Sequence, residues 1–256
     1  MPFQPVQSEK LSLSVVRQIE KLILRGILRP GERLPSEREL SDKMGVSRPS
    51  LREAVAELQT RGLLESRAGA GIFVSDALGS TFPPALTQLF ATHDEAVFDY
   101  LDFRRDMEGL AGERAARLGS DTDLQVINQI FLKMEAAHPK RNPTEEAALD
   151  AEFHLAIVEA SHNVIMLHMM RSMFDLLREG VFYNRKVMFK QRTTRSALLD
   201  QHRAINDALL ARDPAGARAA IEAHLDYVGA ALSDQQKTDH NEAVARLRLQ
   251  QEQTRG

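Results

Sequence analysis

The sequence predicts a mainly α protein in which an amino-terminal winged helix-turn-helix precedes an all-α antiparallel helical bundle. Three observations predict it. Residues 34–74, LPSERELSDKMGVSRPSLREAVAELQTRGLLESRAGAGIFV, read as two short helices about a glycine turn followed by a two-stranded wing. Beyond about residue 93, apolar residues recur at helical spacing to about residue 232 with almost no strand pattern. The 256-residue length suits two domains of roughly 150 residues each.

Ser36 opens Ser-Glu-Arg-Glu, a capping box in which the Ser36 hydroxyl and the Glu39 carboxylate satisfy amides at a helix start. That helix runs from about Glu37 to Met44, where Gly45 supplies the left-handed residue that ends it. Ser47 caps the next helix, whose inward stripe is Leu51, Val55 and Leu58 and whose first turns carry Arg48, Pro49, Ser50 and Arg52. Guanidinium forks reach guanine edges or phosphates, and short hydroxyls reach phosphates, so Ser47, Arg48, Ser50 and Arg52 are DNA-contact candidates. Gly62 closes the helix. Leu63 to Arg67 and Ile72 to Ser75 then read as strands joined by Ala-Gly-Ala-Gly, a loop slim enough for a minor groove, with Arg67 at its base. Any one of these arginines alone fits a solvated helix face; their combination with the capped helices and the wing points to DNA.

The segment resembles the winged helix-turn-helix of GntR-type bacterial repressors. The match begins earlier, because in that family a helix ending in a Pro-Gly turn precedes the motif. Here Leu11 to Leu28 corresponds to that helix, followed by Arg29, Pro30, Gly31 and Leu34. The resemblance implies DNA roles for Arg38, Ser47, Arg48, Ser50 and Arg52, with Gly69 at the wing tip. In place of the basic or histidine residue that many relatives carry beside that glycine, this chain has Ala68 and Ala70.

Charge is divided unevenly. Residues 1–75 hold twelve Lys and Arg against nine Asp and Glu, a balance of +3, and the rest is −6, giving the net −3. An excess of +3 is a weak anchor on DNA, so affinity is expected to need a homodimer on the two half-sites of a short inverted repeat. The absence of cysteine excludes disulfides and thiolate metal sites and suits a reducing cytoplasm. No apolar run approaches the roughly 20 residues that span a bilayer, and the amino end lacks a charged-then-apolar signal segment, so no membrane role is expected.

Domain boundaries are expected at 8–76 for the DNA-reading domain, 77–93 for a linker containing Gly79, Ser80, Thr81 and Pro83-Pro84, and 94–232 for the helical domain. Residues 233–256 are polar and read as a frayed helix ending in disorder. The helical domain reads as six or seven helices: Asp94 to Leu118, Asp121 to Ala137, Thr144 to Ser161, Val164 to Lys190, Arg195 to Ala211 and Pro214 to Leu232.

Three of those helices carry a second constellation. Asp150 and His154 lie four apart on one helix face, while His202 and His224 are each embedded among inward-pointing apolar residues. Three imidazoles and a carboxylate suit a divalent transition metal, zinc ahead of nickel or manganese. On spacing alone, Asp150 and His154 more often form a surface pair and a single His is more often a satisfied core residue. The arrangement is similar to the FCD ligand domain of the FadR subfamily within the same family, where an Asp and a His one turn apart, plus two later histidines, bind a metal. That resemblance covers roughly residues 10–232 and implies an effector carboxylate that coordinates the metal and meets Arg104 in DFRRDMEG, with Asn163 and Arg171 nearby. The alternative for Arg104 is an exposed arginine paired with Asp106 or Glu108, and Arg105 is the one expected to face solvent. His162 has no evident ligand partner, and Met166, Met169, Met170 and Met173 read as core or interface packing. Overall similarity points to members that sense pyruvate, lactate or glycolate.

Two functions therefore stand: a carboxylate-responsive transcriptional regulator, expected to repress, and a metal-dependent enzyme acting on a small carboxylate or ester. The regulator is favoured, because the sequence offers no general base beside the metal candidates.

Overall fold

The computed structural model describes residues 10–76, 82–93, 95–178 and 192–255, which divide into two units between Pro83 and Pro84. The first contains α1 (Leu11–Leu24), α2 (Glu37–Met44), α3 (Arg48–Thr60), β1 (Leu64–Arg67) and β2 (Gly71–Val74). Its core joins Val15, Val16, Ile19 and Ile23 of α1 to Leu51, Ala54, Val55 and Leu58 of α3, with Leu34, Leu40, Leu64 and Val74 closing it. The inward stripe expected for α3 is therefore the one buried.

α1 stops at Leu24 rather than continuing to Leu28. Gly26 takes φ 71°, and Ile27 N–H donates back to the Leu22 carbonyl, which closes the helix. α2 and α3 end the same way, on Gly45 and Gly62, with Val46 N–H bonded to the Ser41 carbonyl and Leu63 N–H to that of Leu58. The Ser36 box is half formed: the hydroxyl accepts from Glu39 N–H at 3.3 Å, but the Glu39 carboxylate turns to Lys43 at 2.8 Å. β1 and β2 pair antiparallel from Leu64↔Val74 to Arg67↔Gly71, and an isolated antiparallel Arg33↔Phe73 bridge lies along the other edge of β2.

The second unit holds α4 (Pro84–Thr92), α5 (Glu95–Leu118), α6 (Asp121–Ala137), a single 3₁₀ turn His138–Lys140, α7 (Pro143–Ala160), α8 (Val164–Arg178), α9 (Arg192–Leu210) and α10 (Pro214–Arg255). Two of these segments depart clearly from expectation. Part of the expected linker, residues 84–92, is the helix α4. α8 is described to Arg178, and the rest of the stretch expected to reach Lys190 lies outside the described residues. α10 runs through the tail to Arg255 instead of stopping at Leu232. The extension beyond Ser233 is mostly exposed; pairs one turn apart, Asp234–Lys237, Gln235–Asp239 and Glu242–Arg246, line it, and no Gly or Pro interrupts it until Gly256. No described helix is long and apolar enough to cross a membrane.

In the bundle α5 packs against α10, α7 and α9, while α6 packs against α7 and α9. α7 is buried on most sides, with Phe153, Ile157, Val158 and Ala160 almost wholly enclosed, so its polar residues are carried into the interior. The close approach of α5 and α10 depends on Gly112, where an added Cβ would run into Ile221 Cδ1, itself fully buried. Gly112→Ala is expected to lower stability by about 1–3 kcal/mol through overpacking, read as a fall in melting temperature. At the start of α6, Ser120 and Asp123 form the reciprocal capping box, and His162 Nε2 lies 2.9 Å from Asp123 Oδ2, so His162 does have a partner. Met166 and Met170 are core residues, whereas Met169 is exposed.

Candidate functional site

α7 carries Asp150 and His154 one turn apart, α9 brings His202, and α10 brings His224 to the same place. One donor atom from each lies within 4.8 Å of the others, and all four residues are buried. Asp150 Oδ1 is 3.0 Å from His202 Nε2 and 3.8 Å from His154 Nε2, and the two Nε2 atoms are 3.3 Å apart. Phe153 walls the cluster, its ring edge-on to His154 and His202.

Each imidazole has its outer nitrogen against an acceptor. His202 Nδ1 lies 2.7 Å from the Leu198 carbonyl, His224 Nδ1 2.9 Å from Gln201 Oε1, and His154 Nδ1 2.6 Å from Glu108 Oε2. Oxygen atoms of these types accept only, so Nδ1 carries the proton and the other ring nitrogen keeps a lone pair. Three imidazole lone pairs and a carboxylate oxygen thus face one another, a repulsion that a bound cation removes. Burial pushes the His154 pKa down against the opposing pull of Glu108. It pushes His224 well below its usual range, with His202 and His154 adding to the effect. Both rings are therefore held in the neutral form that ligates metal. The donor set fits a borderline divalent cation of the zinc type.

α5 supplies the support. Arg104 is 1 % exposed, its Nε is 2.5 Å from Glu108 Oε1, and its guanidinium lies over Phe174 and Tyr100. Burial would raise the Glu108 pKa, but Arg104 and then His154 outweigh it and hold the group at about 2. Glu108 is thus a permanent acceptor that fixes the His154 tautomer. Glu108→Gln, which keeps shape and removes charge, is expected to weaken metal binding about 10–100-fold by competition titration with a chromogenic chelator. The structure buries Arg104 inward, as expected, and also gives it the Glu108 partner of the alternative reading. Arg105 is the more exposed neighbour and pairs with Asp226 at 2.8 Å.

Asn163 and Arg171 have structural partners. Asn163 Oδ1 accepts from Ile165 and Met166 N–H at the start of α8, and Arg171 bridges to Glu159 of α7 at 2.7 Å. The sequence reading missed Gln201 and the buried Glu146–Arg195 ion pair, in which Arg195 Nε is 2.8 Å from Glu146 Oε2. Arg195 also donates to the His138 carbonyl, and a cavity of about 20 Å³, room for one water, lies between that ion pair and His202. Their signal was a charge at core-facing spacing: Glu146 stands one turn before Asp150 and Arg195 two turns before His202.

In the first unit the DNA candidates divide by what holds them. Ser47 accepts from Ser50 N–H at 3.3 Å, and the two hydroxyls are 2.9 Å apart at the exposed start of α3. Arg48 in the first turn of α3 and Arg38 on α2 are exposed, and among the described residues neither is held by an ion pair. Arg52 forms an exposed pair with Glu37 at 2.7 Å, a contact weak enough to exchange for phosphate. Gly69 turns the wing tip at φ 69°. Arg67, at the base of the wing, pairs with Glu65 at 2.7 Å and Asp76 at 2.5 Å and lies 4.3 Å from the Phe73 ring centre.

A winged helix-turn-helix followed in the same chain by a helical domain is the organisation of a transcriptional regulator, and the chain belongs to the gntR family of bacterial regulatory proteins, which residues 11–74 match, while residues 99–227 match the FCD domain. It is 35 % identical over 232 residues to the Glc operon transcriptional activator of Escherichia coli K12, covering 89 % of this chain and 91 % of that one. It is 37 % identical over 227 residues to a second protein of that strain named for regulation of the L-lactate dehydrogenase operon, covering 87 % and 86 %. A solved structure of Streptococcus agalactiae GntR superposes with a TM-score of 0.55 at 27 % identity, over 85 % of this chain and 98 % of that one. The relatives are regulators, and the enzyme alternative is set aside.

Proposed function

We propose that this protein is a metabolite-controlled repressor whose grip on DNA is set by a small carboxylate of the pyruvate, lactate or glycolate class. The observation that supports this reading is the buried convergence of Asp150, His154, His202 and His224, with every His Nδ1 within 2.9 Å of an oxygen on its outer side. A divalent transition cation held by those four residues, zinc ahead of nickel or manganese, would supply a positive centre for an anionic ligand to coordinate. Arg104 adds a second cation whose planar fork matches a carboxylate while its Nε keeps Glu108 in place. Asn163 and Arg171, at the α7–α8 junction and on α8, complete the proposed effector-binding set.

Ser47, Arg48, Ser50, Arg38, Arg52 and the Gly69 turn make up the proposed reading surface. With only +3 on residues 1–75, two copies on a short inverted repeat give the affinity that one lacks. The ligand is proposed to change the balance between conformations in which the two heads fit the half-sites and those in which they do not. A relative named for an L-lactate dehydrogenase operon supports the effector class. Repression is the proposed sign, although another relative is named an activator. A cytoplasmic location follows from the proposed task.

The test is a thermal-shift screen of short hydroxy and oxo acids on metal-loaded protein, since a ligand that binds only the folded state raises its melting temperature. At least one acid of the class is expected to do so, and the shift should vanish in His202→Ala. No shift from any of them, or an equal shift in the variant, contradicts the reading.

A further inference from the structure

The wing lacks a basic side chain at its tip, and Arg67 at its base is held by Glu65, Asp76 and the face of Phe73. The cation that the fold delivers to this place comes from outside the hairpin. The chain before α2 joins the sheet: Leu34 N–H donates to the Ile72 carbonyl, Val74 N–H to the Glu32 carbonyl, and Gly31 N–H to the Val74 carbonyl. Arg33 is thereby bridged to Phe73, in the row that also contains Glu65. The next row toward the turn is Arg67 opposite Gly71.

Gly71 has no side chain to fill its place in that row, and Arg33 leans across the notch. A Cβ built on Gly71 would lie 3.3 Å from Arg33 Nε and 3.6 Å from one terminal nitrogen. Arg33 is exposed, and among the described residues no hydrogen bond or ion pair holds it. On the same sheet face, then, one arginine is neutralised by two carboxylates and the other is directed toward the turn with its charge unspent.

We infer that Arg33 is the wing's DNA-facing cation, contacting a backbone phosphate beside the groove that the Gly69 turn enters, and that Arg67 is a positioning residue that stiffens the wing. This rests on the DNA-binding reading of the first unit. An arginine in the loop before the motif has no helical or hairpin signature, which is why Arg67, inside the hairpin, looked the better candidate from sequence.

The experiment uses full-length metal-loaded protein and a mixed-sequence 30-base-pair duplex, with fluorescence anisotropy read across a range of salt concentrations. Wild type is expected to bind with a steep inverse salt dependence; absence of such binding would overturn the DNA reading itself. Arg33→Ala is expected to reduce the slope of log affinity against log salt by about one per protomer, to weaken binding on every sequence alike, and to leave the melting temperature unchanged. Arg33→Lys should restore the slope. Arg67→Ala is expected to lower the melting temperature while keeping the slope. A wild-type slope in Arg33→Ala, or the slope loss appearing in Arg67→Ala instead, overturns the assignment.

Discussion

Removing the cation proposed for Asp150, His154, His202 and His224 with a chelator is expected to lower the melting temperature of the second unit by on the order of 10 °C. A ligand present at a thousand times its dissociation constant stabilises the folded state by about 4 kcal/mol, and a domain of this size shifts by about 2–4 °C per kcal/mol. His202→Ala should reproduce the chelated behaviour and be insensitive to added zinc, because it removes a donor in closest contact with both Asp150 and His154. Comparing the variant with chelated wild type separates the loss of metal from the cavity that the substitution leaves. The chelated protein also has a pH signature. His154 and His224 sit below the ordinary 6.5 in the folded state, so the unfolded chain takes up protons that the folded one refuses. Their contribution is present above about pH 6.5 and is lost as pH falls toward the lowered values; Glu108, held at about 2, extends the loss below its ordinary 4.5. A chelated melting temperature that is flat from pH 7 to 5 would contradict this electrostatic account.

Arg48→Ala is the second large expected effect. Arg48 is the first residue of α3, exposed, and set by the Ser47 cap, so its fork extends from the amino end of the recognition helix. If it reads a base, its removal costs about 1–3 kcal/mol per half-site and reduces the difference between operator and mixed-sequence DNA. The duplicated contact in a dimer makes the loss up to twice that on an inverted repeat. Anisotropy with a selected operator and with mixed-sequence duplex distinguishes the outcomes: loss on the operator alone marks a base contact, equal loss on both marks a phosphate contact, and no loss removes Arg48 from the reading surface.

How far the sequence was legible depended on whether the signal was local. The α2–turn–α3 unit could be read from Ser36, Gly45, Ser47 and Gly62, because caps and left-handed glycines act within a few residues. The extension of α10 could not, since a helix held by pairs one turn apart with no buried face looks, residue by residue, like a polar tail. Asp150 and His154 were visible as neighbours on one helix. His202 lies 48 residues beyond His154, and only the family resemblance joined it and His224 to them. Gln201 and Glu108 as imidazole partners, Glu146–Arg195 as a buried ion pair, and Arg33 as a neighbour of Gly71 all come from contacts between elements distant in sequence. Spacing within one element can mark Glu146 and Arg195 as core-facing, but it carries no information about which residues meet across elements.

The most direct measurement is the metal content of full-length protein prepared without chelator, by elemental mass spectrometry. One equivalent of a divalent transition ion per chain is expected, lost in His202→Ala and in Asp150→Ala while both variants remain folded. Less than about half an equivalent in wild type under native loading, or undiminished metal in either variant, would contradict the claim that Asp150, His154, His202 and His224 form a metal centre.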